Sequence, residues 1–217
     1  MLAEPLPALT DLALGAVTVL LAYRLRGATG AARQWRNAFW WFGIAALAGA
    51  VHHGVVVRSE SAAEVSWAAI SMVVVVAVSF VLAATVTDVL GPGRARAFWV
   101  LRSVGLVLYA IVALTGHAGI AGIMACEGVT MACVVGLWLL AAHRRHERAV
   151  PVLAAIVVSG AAAGLKAVDP AVLRPLALDP TSAYHLAQIA GTVLLFAAVA
   201  EVPYGGLRRL TAARASG

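Results

Sequence analysis

The chain has 217 residues, 62% of them hydrophobic and 12% charged, with a formal net charge of +6. A soluble domain carries about 25% charged residues, so this composition excludes an ordinary soluble domain. The positive balance does not point to nucleic acid, because the basic residues fall in alternate short segments between apolar runs rather than on one patch.

Seven apolar runs, at roughly 7–24, 37–57, 65–89, 97–115, 119–141, 149–168 and 183–203, are long enough to cross a hydrocarbon core of ~30 Å. They nearly exhaust the chain. The predicted fold is therefore all-α, a polytopic seven-helix transmembrane bundle forming one domain over 1–203, followed by a basic tail at 204–217. Arg24, Arg26, Arg33 and Arg36 fill the first loop, Arg94 and Arg96 the third, Arg144, Arg145 and Arg148 the fifth, and Arg208, Arg209 and Arg214 the tail. The alternate segments are poor in basic residues. The positive-inside rule then places the N-terminus outside and the C-terminus in the cytoplasm of a multi-pass cell-membrane protein.

The first span opens with Glu4, Pro5 and Pro7 and lacks a basic leading region, so it does not read as a signal peptide. Thr10-Asp11 reads as a helix cap and first-turn acid. The second span is dense in small residues (Gly43, Ala46, Gly49, Ala50) and ends in His52-His53. The third begins with Ser61 and Glu64. In the fourth, Arg102 lies one turn in and is expected to snorkel to the inner surface. Cys126 and Cys133 stand seven apart on the fifth span, too far apart for a disulfide. Glu127 sits about eight residues into that span, roughly 12 Å deep at 1.5 Å per residue, with Ser159 of the sixth span as a candidate partner. Gly160 and Gly164 give a GxxxG spacing that permits close helix contact. The sixth loop, 169–182, carries Asp169-Pro170, Pro175 and Asp179-Pro180 as turn signals. The seventh span opens with Tyr184-His185 and carries Gln188. Trp40, Trp41, Trp67, Trp99 and Trp138 fall near span ends, where an interfacial belt is expected.

Topology converts position into depth. Asp11, His52, His53, Glu64, His117, His185 and Gln188 all fall in the outer third. Gly43, Ala46, Gly49 and His53 share one helix face, so His53 is the inward histidine and His52, about 100° away, lies toward the rim. His185, Gln188 and Thr192 form a polar stripe that lipid would penalise, so it faces the bundle interior. Two histidines with one or two carboxylates suit a zinc ion with an open position for water. On this reading His53 and His185 are metal ligands and Glu64 and Asp11 catalytic acids or bases. His52, Gln188, Glu127 and Tyr184 are ligand-binding residues. No HExxH pattern is present.

The stretches Leu9-Thr10-Asp11-Leu12, Val51-His52-His53-Gly54 and Tyr184-His185-Leu186-Ala187-Gln188 resemble a family of uncharacterised bacterial seven-helix membrane proteins. That family in turn is distantly similar to the superfamily of alkaline ceramidases and adiponectin-type receptors, which are seven-helix intramembrane zinc hydrolases or receptors. The resemblance implies His53 as the helix-two ligand, His185 as a helix-seven ligand and Glu64 as the helix-three acid. Two positions depart from the superfamily pattern: Gly49 stands where a serine is expected, and Ile189 where a second helix-seven histidine is expected.

The leading expectation is a metal-dependent hydrolase acting on a lipid amide or ester that enters from the outer leaflet. The alternative is a non-catalytic receptor, carrier or assembly protein whose polar cluster binds a lipid or small molecule, with Glu127 as an inner station. A b-type haem protein with axial histidines is a third reading. A retinal protein is disfavoured because the chain's one lysine, Lys166, ends the sixth span rather than lying on the seventh. The expected partners are the bilayer and a lipid or small-molecule ligand, and not nucleic acid.

Overall fold

The computed structural model describes residues 2–115 and 120–200. His117 and the tail at 204–217 lie outside the described residues. Among the described residues there are eight α-helices and no strand: α1 (Pro5–Arg24), α2 (Gly30–Gly54), α3 (Glu60–Leu90), α4 (Ala95–Leu114), α5 (Ile120–His143), α6 (Ala149–Gly164), α7 (Pro170–Leu173) and α8 (Pro180–Val199). The short α7 lies inside the predicted sixth loop, so the seventh predicted span is α8. Six of the helices are long and apolar enough to cross a membrane. The 25-residue α2 is not among them, because Arg33, Gln34, Arg36, Asn37, its two histidines and several glycines dilute the apolar residues.

Local chemistry sets the helix ends. Pro5 and Pro7 stand in the first turn of α1, where a missing N–H costs nothing. Helix α3 stops at Gly91, whose φ of 90° suits glycine. Helix α1 begins several residues earlier than the Thr10-Asp11 cap reading expects, so Asp11 lies well inside the helix rather than in its first turn.

Helix α8 has a built cap. The Asp179 carboxylate accepts from Ser182 N at 2.9 Å and from Ser182 Oγ at 2.5 Å, and Pro180 occupies the first turn. Burial alone would raise the Asp179 carboxyl, but the hydrogen bonds from Ser182 outweigh it and hold the group below the usual carboxylate range. The folded state therefore binds this proton more weakly than the unfolded chain. The cap contributes fully above the ordinary aspartate range, near ~4, and its contribution is lost as pH falls through the lower folded value. Asp179→Ala is expected to destabilise the protein by about 1 kcal/mol at neutral pH, with the difference from wild type shrinking in acid. Thermal melts across pH check this; a difference that grows in acid would contradict it.

Six helices close a ring in the order α1, α2, α3, α5, α6, α8, with α4 outside it, packed chiefly on α5. Close approach of α1 and α2 depends on small residues. A Cβ on Gly15 would lie 2.8 Å from the Leu47 side chain, and one on Gly43 would lie 2.7 Å from Val19. The predicted GxxxG does not serve this purpose: Gly160 and Gly164 both face open space. The largest fully buried side chains, Trp35, Phe39, Leu82, Val134, Trp138 and Val152, gather at the end of the bundle that carries the basic loops. Trp138 is thus a core residue rather than part of a belt; its indole N–H donates to Thr85 Oγ1 at 3.1 Å. Trp35 donates to Asp88 at 2.8 Å, and Arg148 approaches the same carboxylate at 3.5 Å. The opposite end of the ring holds a buried polar cluster.

Candidate metal centre

Three helices bring Asp11, His53 and His185 together at that opposite end. One ligand atom from each lies within 4.8 Å of the other two. His185 Nε2 is 3.3 Å from Asp11 Oδ1, and His53 Nε2 is 3.9 Å from Asp11 Oδ2. Asp11 and His185 are buried, and the His53 side chain is 12% exposed.

The second nitrogen of each imidazole is already engaged. His185 Nδ1 lies 3.0 Å from Thr10 Oγ1. The Thr10 hydroxyl spends its one proton on the carbonyl of Leu6 at 3.0 Å or Pro7 at 3.1 Å. With its proton on either carbonyl, the hydroxyl oxygen accepts from His185 Nδ1–H. His53 Nδ1 lies 2.5 Å from Glu4 Oε2, and an ionised carboxylate can only accept. Glu4 is held in place by backbone bonds of the N-terminal segment to the end of α2, Ala3 N to Gly54 O at 2.9 Å and Glu4 N to His53 O at 3.0 Å. In the Nδ1–H tautomer both rings donate to these partners. Both Nε2 lone pairs then face the Asp11 carboxylate. Three acceptors converge without a donor among them, an arrangement that a cation satisfies. Orienting one imidazole nitrogen through a carboxylate or hydroxyl is the usual outer support of a metal-binding histidine.

Gly49 makes room for this centre. A Cβ built there would collide with the Asp11 carboxylate. The glycine that departs from the serine pattern is thus the space into which α1 delivers its acid. The third member of the trio thus comes from α1.

The remaining predicted site residues divide. Tyr184 lies beside His185, with ring centroids 5.3 Å apart. Lys166, which no sequence motif marks as a site residue, is held with its Nζ 4.5 Å from the Tyr184 ring centroid and 5.9 Å from that of Trp67. Trp67 also departs from the belt reading: it stacks on His52 at 4.9 Å. His52 is buried, not at a rim, and its Nδ1 lies 3.2 Å from Ser66 Oγ. Glu64 is exposed and stands apart from the converging trio. It is two residues before Ser66, roughly 200° around the helix, so the turn of α3 that aims Ser66 at His52 carries Glu64 away. Gln188 donates to the Ser159 carbonyl at 2.9 Å, joining α8 to α6.

Glu127 belongs to a separate cluster. Its partner is Arg102, not Ser159: Arg102 Nη2 donates to Glu127 Oε1 at 2.9 Å, and Nη1 to Oε2 at 3.3 Å and to Thr130 Oγ1 at 2.8 Å. Arg102 is 3% exposed and does not snorkel. The two free cysteines form no bridge; Cys126 lies beside this ion pair, with Arg102 Nη1 at 4.0 Å from its sulfur.

No curated protein and no solved structure matches the chain. One family model does, spanning residues 6–203 and with them the helices that build the trio and the ion pair, and the chain accordingly belongs to a family of unknown function, DUF6962.

Proposed function

We propose that the chain is a seven-span membrane protein, N-terminus outside, whose Asp11–His53–His185 centre holds a divalent metal ion and hydrolyses an amide or ester bond of a lipid entering from the outer leaflet. The observation that carries this reading is the convergence of three acceptor atoms whose imidazole partners are already fixed through Nδ1. A nitrogen and oxygen donor set of this kind suits zinc. Tetrahedral bonds of ~2.1 Å place ligand atoms about 3.4 Å apart; His185 Nε2 lies 3.3 Å from Asp11 Oδ1, close to that spacing, while His53 Nε2 approaches the other oxygen, Oδ2, at 3.9 Å.

Zinc held by Asp11, His53 and His185 would supply an acidified water and polarise a carbonyl. The chain supplies the rest. Asp11 would supply the anionic donor to the ion, and its carboxylate is the group placed to accept a proton. Glu4 and Thr10 hold the two rings in the binding tautomer. Lys166, steadied by Tyr184 and Trp67, offers its ammonium to an anionic or carbonyl oxygen of the ligand. The resemblance to the ceramidase and adiponectin-receptor superfamily points the same way.

A receptor or carrier built on the same centre is the second reading. It is favoured by the position of Glu64, which leaves Asp11 and Glu4 as the carboxylates within reach of the histidines. Purified protein supplied with zinc and a panel of N-acyl and O-acyl lipids in mixed micelles separates the two. Mass spectrometry should detect free fatty acid released by wild type, and His53→Ala or a chelator should abolish the release. Bound metal with no product from any lipid class would leave the receptor reading in its place.

A further inference from the structure

We infer a second, independent site: a cavity between α2, α3 and α4 that seats one acyl chain of a phospholipid and binds its anionic headgroup through Arg94 and Gln34. The cavity has a volume of about 550 Å³, within the ~300–1,000 Å³ range of ligand pockets. It lies at the end of the bundle that carries the basic loops, away from the metal centre. Helix α4 causes it. Because α4 packs chiefly on α5, its seam with α3 stays open.

The walls suit a hydrocarbon chain. Val76, Phe80 and Ala83 of α3 line it together with Phe98 of α4. The wall hydroxyls have no free proton for a polar ligand, since Ser79 and Thr87 donate to Val75 O and Ala83 O, both at 2.7 Å. The mouth is different. Arg94 follows Gly93 in the turn before α4, and only its Nε is engaged among the described residues, donating to Leu90 O at 3.4 Å. Its terminal guanidinium nitrogens remain available to a phosphate, for which the guanidinium fork is well shaped. The Gln34 amide also lines the cavity and bonds no described residue. Arg33 and Arg96 flank these two in sequence and are exposed, adding to the attraction for an anionic headgroup. An apolar slot ending in a cation and an amide matches a phospholipid whose phosphate is not masked by a choline, such as a phosphatidylglycerol.

The test uses the full chain purified in detergent and exchanged against equal amounts of dioleoyl phosphatidylglycerol and dioleoyl phosphatidylcholine, with bound lipid counted by native mass spectrometry. Wild type should retain the glycerol lipid over the choline lipid about tenfold, the ratio expected of one charge-assisted phosphate contact. Arg94→Gln should bring that ratio close to one while lipid remains bound, and Ala83→Phe should exclude both lipids. Inorganic phosphate should not raise the melting temperature as the glycerol lipid does. Equal retention of the two lipids by wild type, an unchanged preference in Arg94→Gln, or stabilisation by phosphate alone would overturn the inference. The metal centre is unaffected by any of these outcomes.

Discussion

Glu127→Leu is expected to destabilise the protein by about 3–5 kcal/mol, the cost of leaving a buried charge without its partner. Arg102 would then stand on α4, 3% exposed, with the Thr130 hydroxyl as its remaining strong acceptor. That hydroxyl already gives its proton to Cys126 O at 3.0 Å, so it cannot rearrange to compensate. Arg102→Leu should do comparable damage by stranding the carboxylate. The double change removes both charges and should recover most of the loss, because apolar side chains can replace a buried ion pair at little net cost. The measurement is a double-mutant cycle from thermal or denaturant unfolding in detergent. Two single effects that simply add in the double variant would show that the pair is not coupled. Helix α4 packs chiefly on α5, so a coupled pair would also show what fastens α4 to the ring.

The second large effect concerns Asp11. Asp11→Asn keeps the shape of the side chain but removes the one anionic donor of the trio, and metal affinity should fall by more than about a hundredfold. Glu4→Gln and Thr10→Val touch no metal; they disturb only the Nδ1 partners of His53 and His185. They should cost ~10–100-fold, the range for residues that orient a ligand. Gly49→Ser should abolish binding, because its Cβ would displace the Asp11 carboxylate. Isothermal titration with zinc ranks the variants. Equal affinity across the series would remove Asp11 from the centre. A serine variant that binds as wild type would remove Gly49 from its role.

The long helices and the histidine on the inward face of α2 are legible in the sequence because each rests on one periodicity. Apolar runs of the required length give the helices, and the spacing of Gly43, Ala46, Gly49 and His53 gives the face. The stripe on α8 similarly points His185 inward. What stays hidden depends on relations between helices. The pairing of Arg102 with Glu127 needs the relative rotation of α4 and α5, which neither helix encodes alone. Glu64 and His52 exchange their expected surroundings because the register of α3 against α2 brings Ser66 and Trp67 to His52. Asp11 was readable as a candidate, but a cap reading of Thr10 puts it near the surface. The true start at Pro5 buries it and turns the Thr10 hydroxyl into the acceptor that orients His185. The Glu4 contact is hidden for the same reason, because backbone bonds from the N-terminal segment to the end of α2 place it.

The central claim is that the trio holds a metal ion, and the most direct measurement is the metal content of the purified chain, determined by elemental mass spectrometry after purification without chelators. The account predicts close to one divalent metal ion per wild-type chain, and its loss in His185→Ala protein that keeps its helical circular dichroism. Wild-type protein that is folded, monodisperse and free of metal, and that takes up none when zinc is supplied, would contradict it.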